Sequence, residues 1–324
     1  ADGATRLSSI AAAVMALQKD DVASDSAADH ERCGVLDPLD ETLPTPRGRG
    51  TRITIRGTND VVLADIIAGR PVDGRPHLRY VRIPGERRVY VARLDDLQVS
   101  TRFEDWIERN LLQVDRNAID QIAIRNYSAD AKTGQVDQRD ATLLRRRAQD
   151  VWEADGLSSG NAIDTFTMNL LVTTLVELSI VDVRAKPPGV AATLSRAGDA
   201  RLSPADVSEL SSRGFYFTSD NRLLSNQGEV LVHTDTGVFY ALRFGELASG
   251  ATREHRYLFI SVGFDPGAVG GTISPEVRAR LEVLQARFAP WYYVISDDSF
   301  RKIRVERRAL VRSSRSAAAA PPRP

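Results

Sequence analysis

Along residues 5–17, Leu7, Ile10, Ala11, Val14 and Leu17 recur at spacings of three and four, which predicts an amphipathic helix with one apolar stripe. An acidic, turn-rich stretch follows, through Gly34 and Pro38. Four short runs rich in β-branched and aromatic residues come next, at 52–56, 61–67, 78–83 and 89–94. They are parted by Gly57-Thr58-Asn59, by a stretch from Gly69 to Gly74 and by Pro84-Gly85. Runs of that length punctuated by Gly and Pro predict an antiparallel meander.

The same order returns further on. Residues 162–178 carry Ile163, Phe166, Leu170, Leu171, Thr174 and Leu178 at helical spacing. A strand-like run at 180–183, a Pro187-Pro188-Gly189 loop and a helix opened by Ser203-Pro204 follow. Strands are predicted at 229–234, 238–244 and 256–263, with Asp235-Thr236-Gly237 as a hairpin turn. The expectation is an internal duplication, with a first α+β repeat at 1–98 and a second at 156–265. A connecting segment at 99–155 would hold a short helix at 103–112, a strand at 119–125 and another at 142–152. The segment 266–312 would hold a helix at 275–288 and strands at 291–295 and 302–305, and residues 313–324 would form a disordered tail. Each helix has one apolar face that needs a sheet to cover it, so the fold class is α+β: two related units, each a helix packed on an antiparallel meander.

The chain has 324 residues, 42% apolar and 27% charged, which excludes a disordered or collagen-like polypeptide. Its 43 basic and 43 acidic residues cancel. The balance is uneven: only Lys19, Lys132, Lys186 and Lys302 are lysine, and residues 301–323 carry eight basic side chains against Glu306 alone. With no nucleic-acid recognition fold and no basic domain overall, a solvated strand and tail is favoured over a phosphate-binding patch, and nucleic acid is not expected as a partner. Cys33 is the only cysteine, so no intrachain disulfide and no four-thiolate metal site can form. The most apolar stretch, 170–183, is interrupted by Thr173, Thr174, Glu177, Ser179 and Asp182, too polar to span a bilayer. The chain opens at Ala1 rather than Met, and the strands that precede the second repeat's helix have no counterpart before the first. The expectation is therefore a cut inside the first repeat, with an anchor or signal upstream.

Candidate chemistry is sparse. No phosphate-binding loop, dinucleotide fingerprint, His-Glu-x-x-His helix or Gly-x-Ser-x-Gly elbow occurs, and no cofactor or metal is implied. His233 falls in a predicted strand, where a half-buried sheet position is favoured over a catalytic or metal role. A hydrolase-like alternative would need polar residues that converge only in three dimensions: His233, Asp235 and Glu246. The pairs Asp20-Asp21, Asp95-Asp96 and Asp297-Asp298 read as caps on backbone N–H groups rather than as proton-sharing dyads or cation ligands. Trp291, Tyr292 and Tyr293 are a candidate binding surface if exposed and a core seam if buried, and alternation in a strand would place Tyr292 opposite the other two.

Three stretches carry a resemblance. They are RYVRIPGERRVYVARLDDLQVSTRFEDWIERNLLQVD at 79–115, QGEVLVHTDTGVFYALRFGE at 227–246, and RFAPWYYVISDDSFRKI at 287–303. Together the chain resembles the domain of unknown function 4340 family over nearly all its length before the tail. The resemblance implies an extracytoplasmic domain behind one membrane-spanning helix, often encoded beside gliding-type ABC-transporter components, and it carries no catalytic residues. The functional expectation is a non-catalytic, membrane-tethered binding or accessory domain on the periplasmic side, with a protein or cell-envelope component as partner. A further alternative is a scaffold whose sheet edges pair with partner strands.

Overall fold

In the computed structural model, residues 3–94, 99–102, 105–129, 135–148, 151–195, 202–218, 222–248 and 254–313 are described. The chain divides into two compact units, Ala1–Glu108 and Arg109–Pro324.

The first unit holds α1 (Gly3–Met15), β1 (Lys19–Ser24), α2 (His30–Cys33), β2 (Thr51–Arg56), β3 (Val62–Val72), β4 (Arg75–Arg82) and β5 (Val89–Arg93). The helix and the four-stranded meander stand where the periodicity predicts them. Strand β1 was not legible, because it falls in the stretch read as an acidic turn. Its backbone pairs antiparallel with β5, and the sheet runs β1-β5-β4-β3-β2. The stripe on α1 buries Ile10 and Val14 against Ile53, Ile66, Val81 and Ala92 of the sheet. A second cluster gathers Cys33, Val35, Ile67 and Val89.

The second unit follows with β6 (Ile119–Ala129), β7 (Val136–Ala148), β8 (Val151–Ala154), β9 (Asn161–Ile163), α3 (Thr165–Val176), β10 (Asp182–Ala185), α4 (Pro188–Ser195), α5 (Pro204–Ser212), β11 (Phe215–Phe217), β12 (Leu223–Ser225), β13 (Glu229–Thr234), β14 (Val238–Leu247) and β15 (His255–Phe264). It ends with α6 (Pro266–Val269), α7 (Pro275–Phe288), β16 (Trp291–Ser296), α8 (Asp297–Ile303), α9 (Arg307–Leu310) and β17 (Val311–Ser313). Its main sheet has eight strands in the order β10-β16-β15-β14-β13-β6-β7-β8. One face buries Val230, Val232, Tyr240, Leu242 and Phe244. Tyr240 meets Phe288 of α7 edge-on at 6.3 Å, and Phe244 meets Phe300 of α8 at 5.0 Å. On the opposite face Phe259 and Tyr292 are covered by Val190, Leu210, Phe215 and Leu223.

Local chemistry explains the helix starts. Asp164 caps α3 by accepting from the Thr167 N–H at 2.8 Å. Ser203 and Asp206 close a reciprocal capping box on α5, with Pro204 at the first helical position.

Several expectations are corrected. The helix predicted at 103–112 is not formed over 105–112, and Phe103 lies outside the described residues. Tertiary pairing claims that backbone: Asn110 bridges Ser179, and the Leu111 N–H donates to Leu178 O at 2.9 Å. The strand predicted at 302–305 is replaced by the end of α8, whose start is capped by Ser296 accepting from the Ser299 N–H at 3.1 Å. The single strand predicted at 142–152 falls across β7 and β8, which pair antiparallel. The strand predicted at 180–183 is displaced to β10, and the Pro187-Pro188-Gly189 loop opens α4. The segment read as a connector supplies β6, β7 and β8 to the large sheet, and β16 from the C-terminal segment joins it too, so the second sheet extends well beyond residues 156–265. In each unit the strand after the apolar helix pairs with the last strand of the meander: β1 with β5, and β10 with β16. The expected tail, from residue 314 on, lies outside the described residues. Among the described residues, no helix is long and apolar enough to cross a membrane.

Candidate functional site

The residues singled out from sequence do not assemble as a group. His233 sits on β13 opposite Phe239, its ring stacked on that phenyl at 5.3 Å and its Nδ1 3.9 Å from Asp265. Burial pushes the imidazole pKa down, against the opposing pull of Asp265 and Asp120. Asp235 lies in the turn beyond, its N–H bonded to Ala118 O. Glu246 is at the other end of β14, where it accepts a hydrogen bond from Asn226. Seven positions of extended chain separate Phe239, His233's cross-strand partner, from Glu246, roughly 23 Å, so the trio is not one site. What gathers near His233 instead is Asp120 of β6, whose carboxyl burial pushes up while His233 draws it down. Asp120 and Asp265 carry no local sequence signal; only strand pairing brings them near.

Of the aromatic run, Trp291 is 40% exposed while Tyr292 and Tyr293 are buried. Tyr292 stacks on Phe215 at 5.9 Å, and Tyr293 donates its hydroxyl to Arg287 O at 3.0 Å, its own pKa pushed by burial up to about 12. These three residues therefore do not form a single exposed surface. Of the described aspartate pairs, Asp21 lies in β1 and accepts from a backbone N–H, that of Val22, whereas Asp297 and Asp298 stand in the first turn of α8, behind the Ser296 cap, and form ion pairs with Arg256 and Lys302. Asp95 and Asp96 lie outside the described residues.

The consecutive Arg145, Arg146 and Arg147 and the C-terminal basic run are mostly neutralised in place. On β7, Arg145 pairs with Asp155 and Arg147 with Glu153. In the C-terminal run, Arg301 pairs with Asp297, Lys302 with Asp298, Arg308 with Glu306 and Arg312 with Asp164. Arg304 is different. It follows α8 directly, half-buried, with its guanidinium 5.7 Å from the Phe300 ring centre and no acceptor for its Nε. It forms no ion pair with any described residue. Burial pushes its pKa down and the nearby Arg139 and Arg256 push it further, against a weaker opposing pull from Asp140 and Glu306.

Arg304 faces a cavity of about 670 Å³, walled on one side by Asn126 and Asp140 of β6 and β7 and on the other by Glu306, Arg307 and Arg308. The register pairs Asn126 with Asp140, and the Asn126 amide donates to that carboxylate. The other Asp140 oxygen accepts from the Arg307 backbone N–H at 3.1 Å. Both carboxylate oxygens thus accept other hydrogen bonds, and Asp140 attracts Arg304 through space without an ion-pair contact. The basic run was visible in the sequence, but nothing local separated Arg304, which has no ion pair among the described residues, from Arg307, whose guanidinium bonds to backbone carbonyls. Among the described residues, no group of three or more His, Cys, Asp or Glu could hold a metal ion.

A second feature is the outer edge of β2, where Thr51, Thr54 and Arg56 are exposed. Among the described residues this strand pairs with β3 on one side only. In the second unit β13 holds the corresponding place, last in the run β10-β16-β15-β14-β13, and its outer edge is filled by β6 from Arg125 to Ile119.

Two α+β units, one with an open sheet edge and one with an arginine-lined cavity, define a protein of mixed helix and antiparallel sheet. The chain belongs to the family described as domain of unknown function (DUF4340), whose model matches residues 1–197. Of the three stretches that resemble the family, 79–115 lies inside that match, while 227–246 and 287–303 lie beyond it. No curated protein and no solved structure matches the chain.

Proposed function

We propose that this chain is a non-catalytic, extracytoplasmic binding domain, tethered to the membrane and accessory to an ABC-transporter-type assembly, and that a partner's extended strand adds to β2. The observation that carries the binding role is the one-sided pairing of β2 set against β13, which takes an antiparallel neighbour on the corresponding edge. An unpaired edge offers a row of backbone donors and acceptors, and addition of a strand is a common mode of peptide recognition. On one face of the added strand, Ile53 and Ile55 would supply apolar neighbours, as Val230 and Val232 do for Ile124 and Ile122 in the second unit. Location, tether and transporter association are supported by family resemblance alone, which is analogy.

The test is site-specific photocrosslinking in the full-length protein in its native membrane, with the photoreactive residue at exposed Thr54 and a control at exposed Phe166. A transporter subunit or envelope component crosslinked from position 54 and not from 166 is the expected result. Absence of any such component from position 54 overturns the reading.

A further inference from the structure

We propose that the cavity beside Arg304 binds a phosphate monoester, an inference independent of the β2 edge. It is lined by Arg139, Arg304, Arg307 and Arg308 against Asp140 and Glu306, an excess of two positive charges among the lining residues, with Arg139 also 3.9 Å from the exposed carboxylate of Asp137 outside the wall. Both carboxylates are committed elsewhere: Asp140 to the Asn126 amide and the Arg307 N–H, and Glu306 to Arg308 at 2.6 Å. Arg307 is anchored by donating to Asp155 O and Gly156 O at 2.7 and 3.1 Å. Arg304 is left half-buried with no ion pair to any described residue, in a place where its neighbours Arg139 and Arg256 repel it more strongly than Asp140 and Glu306 attract it.

A desolvated cation without a partner is costly, and an oxyanion is the group that relieves the cost, because guanidinium donors match its oxygens. A dianion balances the excess of two charges; a carboxylate or a phosphodiester supplies one. At about 670 Å³ the cavity is also larger than a bare phosphate requires, leaving room for the organic part of an ester. The shared chemistry is the monoester dianion, whether carried by a soluble metabolite or by a lipid headgroup.

Calorimetry on the intact chain at low salt, with glycerol 3-phosphate, acetate and glycerophosphocholine as probes, tests the chemistry. Sedimentation with phosphatidylcholine vesicles, with and without phosphatidate, tests the lipid source. The expected result is saturable binding of glycerol 3-phosphate, of phosphatidate vesicles, or of both, in preference to acetate and the diester. Arg304→Gln should weaken it about tenfold or more, the size of a lost charge-assisted contact. Arg139→Gln alters a side chain that is 59% exposed, so it keeps the fold and should weaken binding severalfold. Binding of neither monoester probe overturns the proposal, as does equal binding of acetate, or binding unchanged in both variants.

Discussion

The ammonium of Lys186 lies 3.8 Å from the centre of the Phe259 ring and donates to Phe288 O at 3.0 Å, with no ion pair to a carboxylate among the described residues. The cation is held by a π-face and one carbonyl in the core of the second unit. Burial alone pulls its pKa down to about 7.

That depression sets a pH dependence. Between about pH 7 and pH 10 the unfolded chain keeps the Lys186 proton while the folded chain releases it, so stability from this group rises with pH across that window and falls as pH drops toward 7. Lys186→Met removes the charge while filling similar volume. The variant should be more stable than the wild type at pH 7, by about 2 kcal/mol, with the gap closing toward pH 10. Urea midpoints at pH 7 and pH 9.5 measure it; a gap independent of pH would refute the assignment.

Asp297 accepts from Arg256 Nε at 2.9 Å in a buried pair, and Arg256 also donates to Gly245 O at 2.7 Å. Asp297→Ala leaves the Arg256 guanidinium buried without its counter-charge, which should cost about 3–5 kcal/mol. Chemical denaturation would show this as a shifted midpoint with an unchanged slope.

Gly245 lies in β14 where a Cβ would run into Arg213 O and the Phe215 ring, whereas a Cβ on Gly271 would meet only Val269 O at 4.0 Å. Gly245→Ala should therefore destabilise by about 1–3 kcal/mol, the range for overpacking, while Gly271→Ala should stay within about 0.5 kcal/mol. Thermal melts of the two variants side by side distinguish them.

Ser203 closes the capping box of α5, its hydroxyl accepting from the Asp206 N–H at 3.2 Å. Ser203→Ala should cost about 1 kcal/mol, and Ser203→Asn less. Faster amide exchange confined to residues 204–207 in the alanine variant would locate the loss at the helix start.

By itself the sequence determined the elements whose burial follows local period. The stripe of α1, the capped start of α5, the hairpin through Asp235-Thr236-Gly237 and the helix α7 are written in spacing and turn chemistry, and each formed where predicted. The run at 302–305 misled because Ile303 and Val305 alternate like a strand; what decides it is the Ser296 cap and the three-residue spacing that buries Phe300 and Ile303 on one helix face. Strand β1 has almost no apolar pattern, and it is a strand because β5 offers its backbone a partner. Tertiary structure alone decided the sites. Pairing of β6 with β7 sets Asn126 against Asp140, and the cap that turns the chain into α8 carries Arg304 toward them. A residue's ion-pair partner depends on what folding brings within a few ångströms, and no period along the chain encodes that distance. So the basic run could be read as charge, but not as four ion pairs, an Arg307 held by backbone carbonyls and an Arg304 with no ion pair among the described residues.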